Sequence, residues 1–232
     1  MKTPPILALE QITFAYPERP ALFRGLSVSL PEGARIGLHG PNGSGKTTLF
    51  RLMLGLEVPR SGRVLYRGEA VDSQATLHEM RRGVGLVLQN SDDQLFSATV
   101  LEDVAFGPLN LGLKRRAALD RAMETLEALG LARIAERPTH RLSAGEKKMA
   151  SIAAVLSMRP GALLLDEPSA SLDDESRSRI IDILRQQPLA RITASHDKDF
   201  LGQTSSSLMR LGAAGALEAD SSMHPPSGAA GA

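Results

Sequence analysis

The run Gly40-Pro41-Asn42-Gly43-Ser44-Gly45-Lys46-Thr47 combines spaced glycines with a lysine and a hydroxyl. Glycines let successive backbone N–H groups curl around an anion, and a helix starting at the lysine adds its positive end. The full pattern is that of a phosphate-binding loop. Lys46 would supply charge to the β and γ oxygens, and the Thr47 hydroxyl is placed to ligate Mg2+, with Thr48 closing the loop. Further along, Ala162-Leu163-Leu164-Leu165 ends in Asp166-Glu167. An apolar strand ending in two acids puts them at the carboxyl edge of a sheet, where ligands sit in α/β folds. Asp166 is expected to hold Mg2+, directly or through water, and Glu167 to polarise an attacking water. A third peptide, Leu142-Ser143-Ala144-Gly145-Glu146-Lys147-Lys148, reads as a helix start with Ser143 as N-cap and Glu146 as its capping-box partner.

Positioning these groups requires strands that feed loops and helices. Apolar and alternating runs predict strands over 6–13, 26–30, 35–39, 61–66, 84–88, 162–165 and 189–194. Helical patterns cover 46–54, 99–129 with an interruption at Gly107-Pro108, a segment from Ser143, and 176–185. Leu119, Met123, Leu126 and Leu129 recur on one helical face, as do Met149, Ile152, Ala153 and Leu156 on another. Strands alternating with helices, opened by strand, glycine loop and helix, predict an α/β domain with a largely parallel sheet. The helical stretch is too long for one crossover, so a helical subdomain over about 90–160 is expected as an insertion. The domain is expected to span 1–211, with an Ala/Gly/Ser/Pro-rich disordered tail over 212–232.

Composition narrows the classes further. The 232 residues carry 27 Lys and Arg against 26 Asp and Glu, a net charge of +1, which gives no long-range basic footprint for nucleic acid. Aromatics make up 3% with no Trp, against a stacking platform for single strands. Absence of Cys excludes disulfides, thiolate metal sites and a Cys nucleophile. No apolar run approaches the roughly 18 residues of a spanning helix. The N-terminal MKTPPILALE has prolines and Glu10 where a signal peptide needs an unbroken apolar stretch.

Phosphate loop, Ser143 peptide and acidic strand stand in the order found in ATP-binding-cassette (ABC) ATPases, which the chain resembles over about 7–211. The resemblance implies a P-loop NTPase core with an N-terminal antiparallel β subdomain and an inserted helical subdomain. Tyr16 matches the aromatic that stacks on adenine, and Gln89 the glutamine that senses Mg2+ and the γ-phosphate. Asp173, in Ser171-Leu172-Asp173, matches the loop that crosses between subunits, and His196 matches the switch histidine at the γ-phosphate. ATP and Mg2+ are the implied cofactors, with Thr47, Gln89 and Asp166 on the metal. Ser143, Gly145 and Glu146 belong to the signature, which serves the nucleotide of a second cassette. The implied assembly is therefore a head-to-tail dimer, of identical or paralogous chains. Catalytic roles fall to Glu167, Lys46, Gln89 and His196.

From Gln89-Asn90-Ser91-Asp92-Asp93-Gln94-Leu95-Phe96 through Phe106-Gly107-Pro108, the chain is similar to ATPases of energy-coupling-factor (ECF) importers of vitamins and transition-metal ions. This implies docking of a transmembrane coupling protein near 89–106, a substrate-binding membrane subunit, and a peripheral place at the cytoplasmic face of the cell membrane. Leu95, Phe96, Val100 and Phe106 could form the docking surface, although Phe106 reads equally well as core. Cobalt or nickel leads as the solute, with biotin next. A soluble ABC ATPase acting on nucleic acid or ribosomes is the rival of another class, disfavoured by the single cassette and near-neutral charge. Two departures stand out: Ala144 replaces a usual Gly, at a position expected to tolerate a methyl, and Met149 replaces a frequent Arg, so a polar contact behind the signature is expected to be missing.

Overall fold

The computed structural model describes residues 3–220. The chain forms two compact units, one from the segments up to Arg81 and from Pro188 onward, the other from Arg82–Gln187. The first opens with β1 (Leu7–Phe14), β2 (Phe23–Leu30), β3 (Arg35–His39), α1 (Lys46–Met53), β4 (Ser61–Tyr66), β5 (Glu69–Ala70) and α2 (Gln74–Gly83). The second carries β6 (Val84–Val87), α3 (Val100–Asn110), α4 (Arg115–Ala128), α5 (Ala144–Leu156), β7 (Ala162–Asp166) and α6 (Asp174–Gln186). The chain then returns to the first unit with β8 (Ala190–Ala194), α7 (Lys198–Thr204), β9 (Ser207–Leu211) and β10 (Leu217–Ala219).

In the first unit β2, β1, β4 and β5 make an antiparallel sheet in that order. From Leu26 strand β2 alternates, burying Leu26, Val28 and Leu30 while Ser27 and Ser29 face out, and a register shift against β1 brings Phe23 to the buried side as well. Strand β3 instead is an apolar run flanked by β8 and β9, both parallel to it, as a strand covered on both faces should be. It delivers the chain straight into the glycine loop. In the second unit β6 and β7 pair in parallel from Val84↔Ala162 to Val87↔Leu165, and every residue of β7 is buried. The α/β expectation holds.

Three expectations are corrected. Helix α3 runs through Pro108. Proline has no N–H to return to the Val104 carbonyl, and the Ser157 hydroxyl donates to that oxygen at 2.7 Å in its place. On α4 the fully buried face is Ala118, Ala122 and Leu126, while Leu119, Met123 and Leu129 are half-buried at its flanks. The tail is ordered through Asp220: β10 pairs antiparallel with β9, Leu217 opposite Leu211. Backbone pairing at a sheet edge needs no apolar side chains, which is why composition read this stretch as structureless. Residues 221–232, also assigned to the tail, lie outside the described residues.

Candidate active site

In the first unit the loop 40–45 closes over the start of α1. Gly45 adopts φ 102°, a left-handed conformation, and a Cβ there would meet Phe23 Cζ at 2.7 Å. Helix α1 carries no side-chain cap and no acid in its first turn, so its positive end is not neutralised locally. Lys46 is buried and donates from Nζ to Gly40 O at 3.0 Å, arching over the loop. Ser44 Oγ is buried and has no hydrogen-bond partner among the described residues. An uncapped helix start, a buried ammonium and an orphaned hydroxyl at one loop fit an anionic, phosphate-like occupant. Pro41, Asn42 and Gly43 are exposed on the same loop, and Thr47 is exposed in the first turn of α1. Tyr16 is tied to it, its hydroxyl 3.1 Å from Thr48 Oγ1 and its ring packed edge-on with Phe14 at 4.9 Å. His196 is exposed after β8 and shares with Gly40, Pro41, His39 and Lys198 a cavity of about 500 Å3. The structure thus brings together the loop, Tyr16 and His196.

In the second unit Asp166 and Glu167 are both buried at the carboxyl end of β7. Glu167 holds φ 45°, uncommon for a residue with a side chain, so the surrounding packing fixes its orientation at some cost. The capping box forms as read: Ser143 Oγ accepts from Glu146 N–H at 3.2 Å, and Glu146 accepts from Ser143 N–H at 3.0 Å. Because the Ser143 oxygen serves the cap as an acceptor, its own O–H remains available to donate outward. Glu146 is also gripped by Arg137 at 2.7 Å, so its carboxylate shapes the signature turn instead of facing a ligand. Ala144 is the first residue of α5 and has no positive φ, so the methyl costs nothing there. At Gly145 a Cβ would overlap Ser176 Oγ on α6, and only glycine lets the two helices approach. Asp173 caps α6, accepting from Ser176 N–H at 2.8 Å, and this bond lowers its carboxyl below the usual range. Gln89 is exposed just beyond β6.

The Ser143 N–H first, and Arg137 with it, hold the Glu146 carboxyl below its ordinary value near 4.5 against partial burial. A lowered folded value means that the charged cap contributes fully above the unfolded pKa and is lost as pH falls through the folded one. Melting curves taken from about pH 7 down to about pH 3 should show wild-type stability falling more steeply below 4.5 than that of Glu146→Gln, which retains the cap without the charge. Parallel curves would remove this role.

Two features escaped the sequence reading. Lys148, on the buried side of α5, donates to Leu88 O and Gln89 O at 2.8 and 2.7 Å. Burial pushes its ammonium down to about 8, against the pull of nearby Asp166. Met149 itself is buried and apolar, and the polar side chain nearest to it in sequence on the inward side of α5 is Lys148. Helical phase from the apolar Ile152, four residues on, could have flagged Lys148 as inward-facing. The second is Leu109, exposed beside a T-shaped Phe96–Phe106 pair at 4.7 Å. Phe96 is 65% and Phe106 43% exposed, whereas Leu95 and Val100 are core. Asp103, buried, accepts from the N–H groups of Phe96 and Ser97 at 3.1 and 2.9 Å and so fixes the backbone that presents the ring. The proposed surface therefore keeps Phe96 and Phe106, loses Leu95 and Val100, and gains Leu109.

A family model described as ABC transporter matches residues 23–170. The chain belongs to the ABC transporter ATPase family. This ABC ATPase is 46% identical to the cobalt import ATP-binding protein CbiO of Rhodobacter capsulatus, over 83% of this chain and 70% of that protein. It is 40% identical to the energy-coupling factor transporter ATP-binding protein EcfA of Methanocaldococcus jannaschii, over 84% of this chain and 72% of that one. Its structure resembles cbiO1 of Clostridium perfringens, part of the ABC transporter complex cbiONQ, with TM-score 0.83 and 33% identity over 93% of this chain and 87% of that one. A dimeric bacterial ABC transporter cassette, 23% identical with TM-score 0.80 over 92% and 98% of the two chains, shares the fold. The ABC ATPase is accordingly an ATP hydrolase of the ECF type.

Proposed function

We propose that this ATPase drives import of a transition-metal ion, cobalt(II) or nickel(II), from the cytoplasmic face of the cell membrane. The 46% identity to a cobalt import ATP-binding protein carries the reading. Among the described residues no helix is long and apolar enough to cross a membrane, in keeping with a subunit that acts through membrane-embedded partners. The exposed Phe96, Phe106 and Leu109 offer a transmembrane coupling protein an apolar helix-docking surface within 89–110. A separate membrane subunit binds the solute.

In this reading the loop amides and Lys46 hold the triphosphate, and Tyr16 lies against the adenine. Two cassettes, identical or paralogous, pair head to tail, so that Ser143 donates its O–H and Gly145 its N–H to the γ-phosphate held by the partner copy. Thr47, Gln89 and Asp166 supply a hydroxyl, an amide oxygen and a carboxylate, the hard oxygen donors that suit Mg2+, whose charge would offset that of the phosphates. Asp173 lies at the cassette seam, and Glu146 acts indirectly by shaping the signature. Glu167 orients the attacking water and accepts its proton, while Lys46 and His196 stabilise charge on the transferring phosphoryl group.

The test is purification of the chain from its native host in mild detergent, followed by uptake of labelled cobalt or nickel into vesicles holding the complex. A hydrophobic membrane protein should co-purify, and ATP should drive metal uptake. Phe96→Ala should release that partner while shifting Tm by no more than about 2 °C, because the ring is exposed. Uptake of biotin instead would replace the solute, and recovery of RNA or ribosomes would overturn the transport reading.

A further inference from the structure

Strand β6 ends at Val87, so Leu88 and Gln89 leave the sheet and need other partners for their backbone polar groups. Helix α5 provides them through side chains. Lys148 Nζ takes both carbonyls, at 2.8 and 2.7 Å, across a sequence separation of 60 and 59 residues. Gln94 works from the other side, its Oε1 accepting from Leu88 N–H at 3.1 Å and its Nε2 donating to Ser151 O on α5 at 3.0 Å. Both backbone groups of Leu88 are therefore fastened to the helix that opens with Ser143 and Gly145. The outer pair, Lys147 with Asp92 at 2.6 Å, is solvent-exposed on its acidic side and adds little. An apolar side chain could fill the place of Lys148 without desolvating an ammonium, so what the charge supplies is a fixed position for the two carbonyls.

We propose that Lys148 is a positioning residue: by gripping Leu88 and Gln89 it makes the glutamine segment and the signature helix move as one piece. The idea rests on the roles given to Gln89 and Ser143 under the proposed function. It extends them, because the docking segment that follows Gln89 is then joined to the signature through Lys148 and Gln94. A partner bound at Phe96 would be mechanically linked to the signature, with no contact of its own to that helix.

Hydrogen exchange of the full chain, with and without Mg·ATP, tests this alongside steady-state ATPase assays. In the wild type the amides of 86–91 and 143–150 should gain protection together as ATP is added. In Lys148→Met the signature amides should retain their gain while 86–91 lose most of theirs. The kcat should fall about tenfold with KM for ATP within about twofold, as expected for lost charge-assisted bonds that do not touch the substrate. Lys148→Arg, which keeps donors in place, should restore the joint response. If Lys148→Met does not fold, Lys148→Gln decides: its shorter side chain does not reach both carbonyls, so the same separation of segments is expected. Joint protection and unchanged kcat in the folded variant would overturn the proposal. A wild type that neither hydrolyses ATP nor gains protection would overturn the underlying site assignment instead.

Discussion

Glu167→Gln should lower ATP turnover by roughly 10²–10⁴-fold, the range for removing a general base, and leave ATP affinity within about threefold. Gln matches Glu in volume and suits the same buried pocket, so the change isolates the carboxylate. That carboxylate follows directly on Asp166 at the end of a fully buried strand, and the backbone at Glu167 is held at φ 45°. Such a backbone state is sustained only by surrounding structure, which makes the direction of the side chain a property of the fold. Because binding survives while cleavage does not, the variant should also accumulate as an ATP-bound pair of cassettes. Light scattering with Mg·ATP should therefore report a dimer that outlasts that of the wild type. Turnover within threefold of wild type would remove Glu167 from the water-activating role.

Lys46→Ala should act earlier in the cycle, weakening ATP binding roughly 10–100-fold, the value of a buried charge-assisted contact to phosphate. The same substitution breaks the bond from Nζ to Gly40 O that arches over the loop, so some loss of stability is expected without ligand. Calorimetric titration at a temperature where both proteins are folded separates the two effects. Lys46→Met, which preserves the aliphatic packing, should lose as much affinity and less stability. Unchanged affinity in both variants would contradict the phosphate-loop assignment. Comparison with Glu167→Gln is informative in itself, since one variant should fail to bind and the other bind without cleaving.

The elements proposed to hold the chemistry were legible as local structure because their determinants are contiguous. The glycines, Lys46 and Thr47 are consecutive at a loop and the helix start that follows it, and the loop conformation follows from residue type; Ala162–Asp166 is apolar up to its acid, so both its burial and its end can be read directly. The Ser143–Glu146 capping box is likewise local. The docking segment was legible only in part. Leu95 and Phe96 are adjacent and comparably apolar, and nothing in their composition says which is core. Packing placed Leu95 inside and left the Phe96 ring exposed, and Asp103 fixes the backbone there by accepting from the amides of Phe96 and Ser97. The same holds for Pro108, whose effect on α3 depended on a hydroxyl at Ser157.

Sequence alone determined the nucleotide chemistry of this ABC ATPase, its α/β class and the order of its motifs, since each is specified by residues within a few positions of one another. Tertiary structure decided which apolar residues remain available to a partner, that the chain through Asp220 is paired at a sheet edge, and that Lys148 serves the glutamine segment. Those outcomes depend on groups brought together across long stretches of chain, where burial and the need to satisfy backbone carbonyls choose the partner, and no local pattern records that choice.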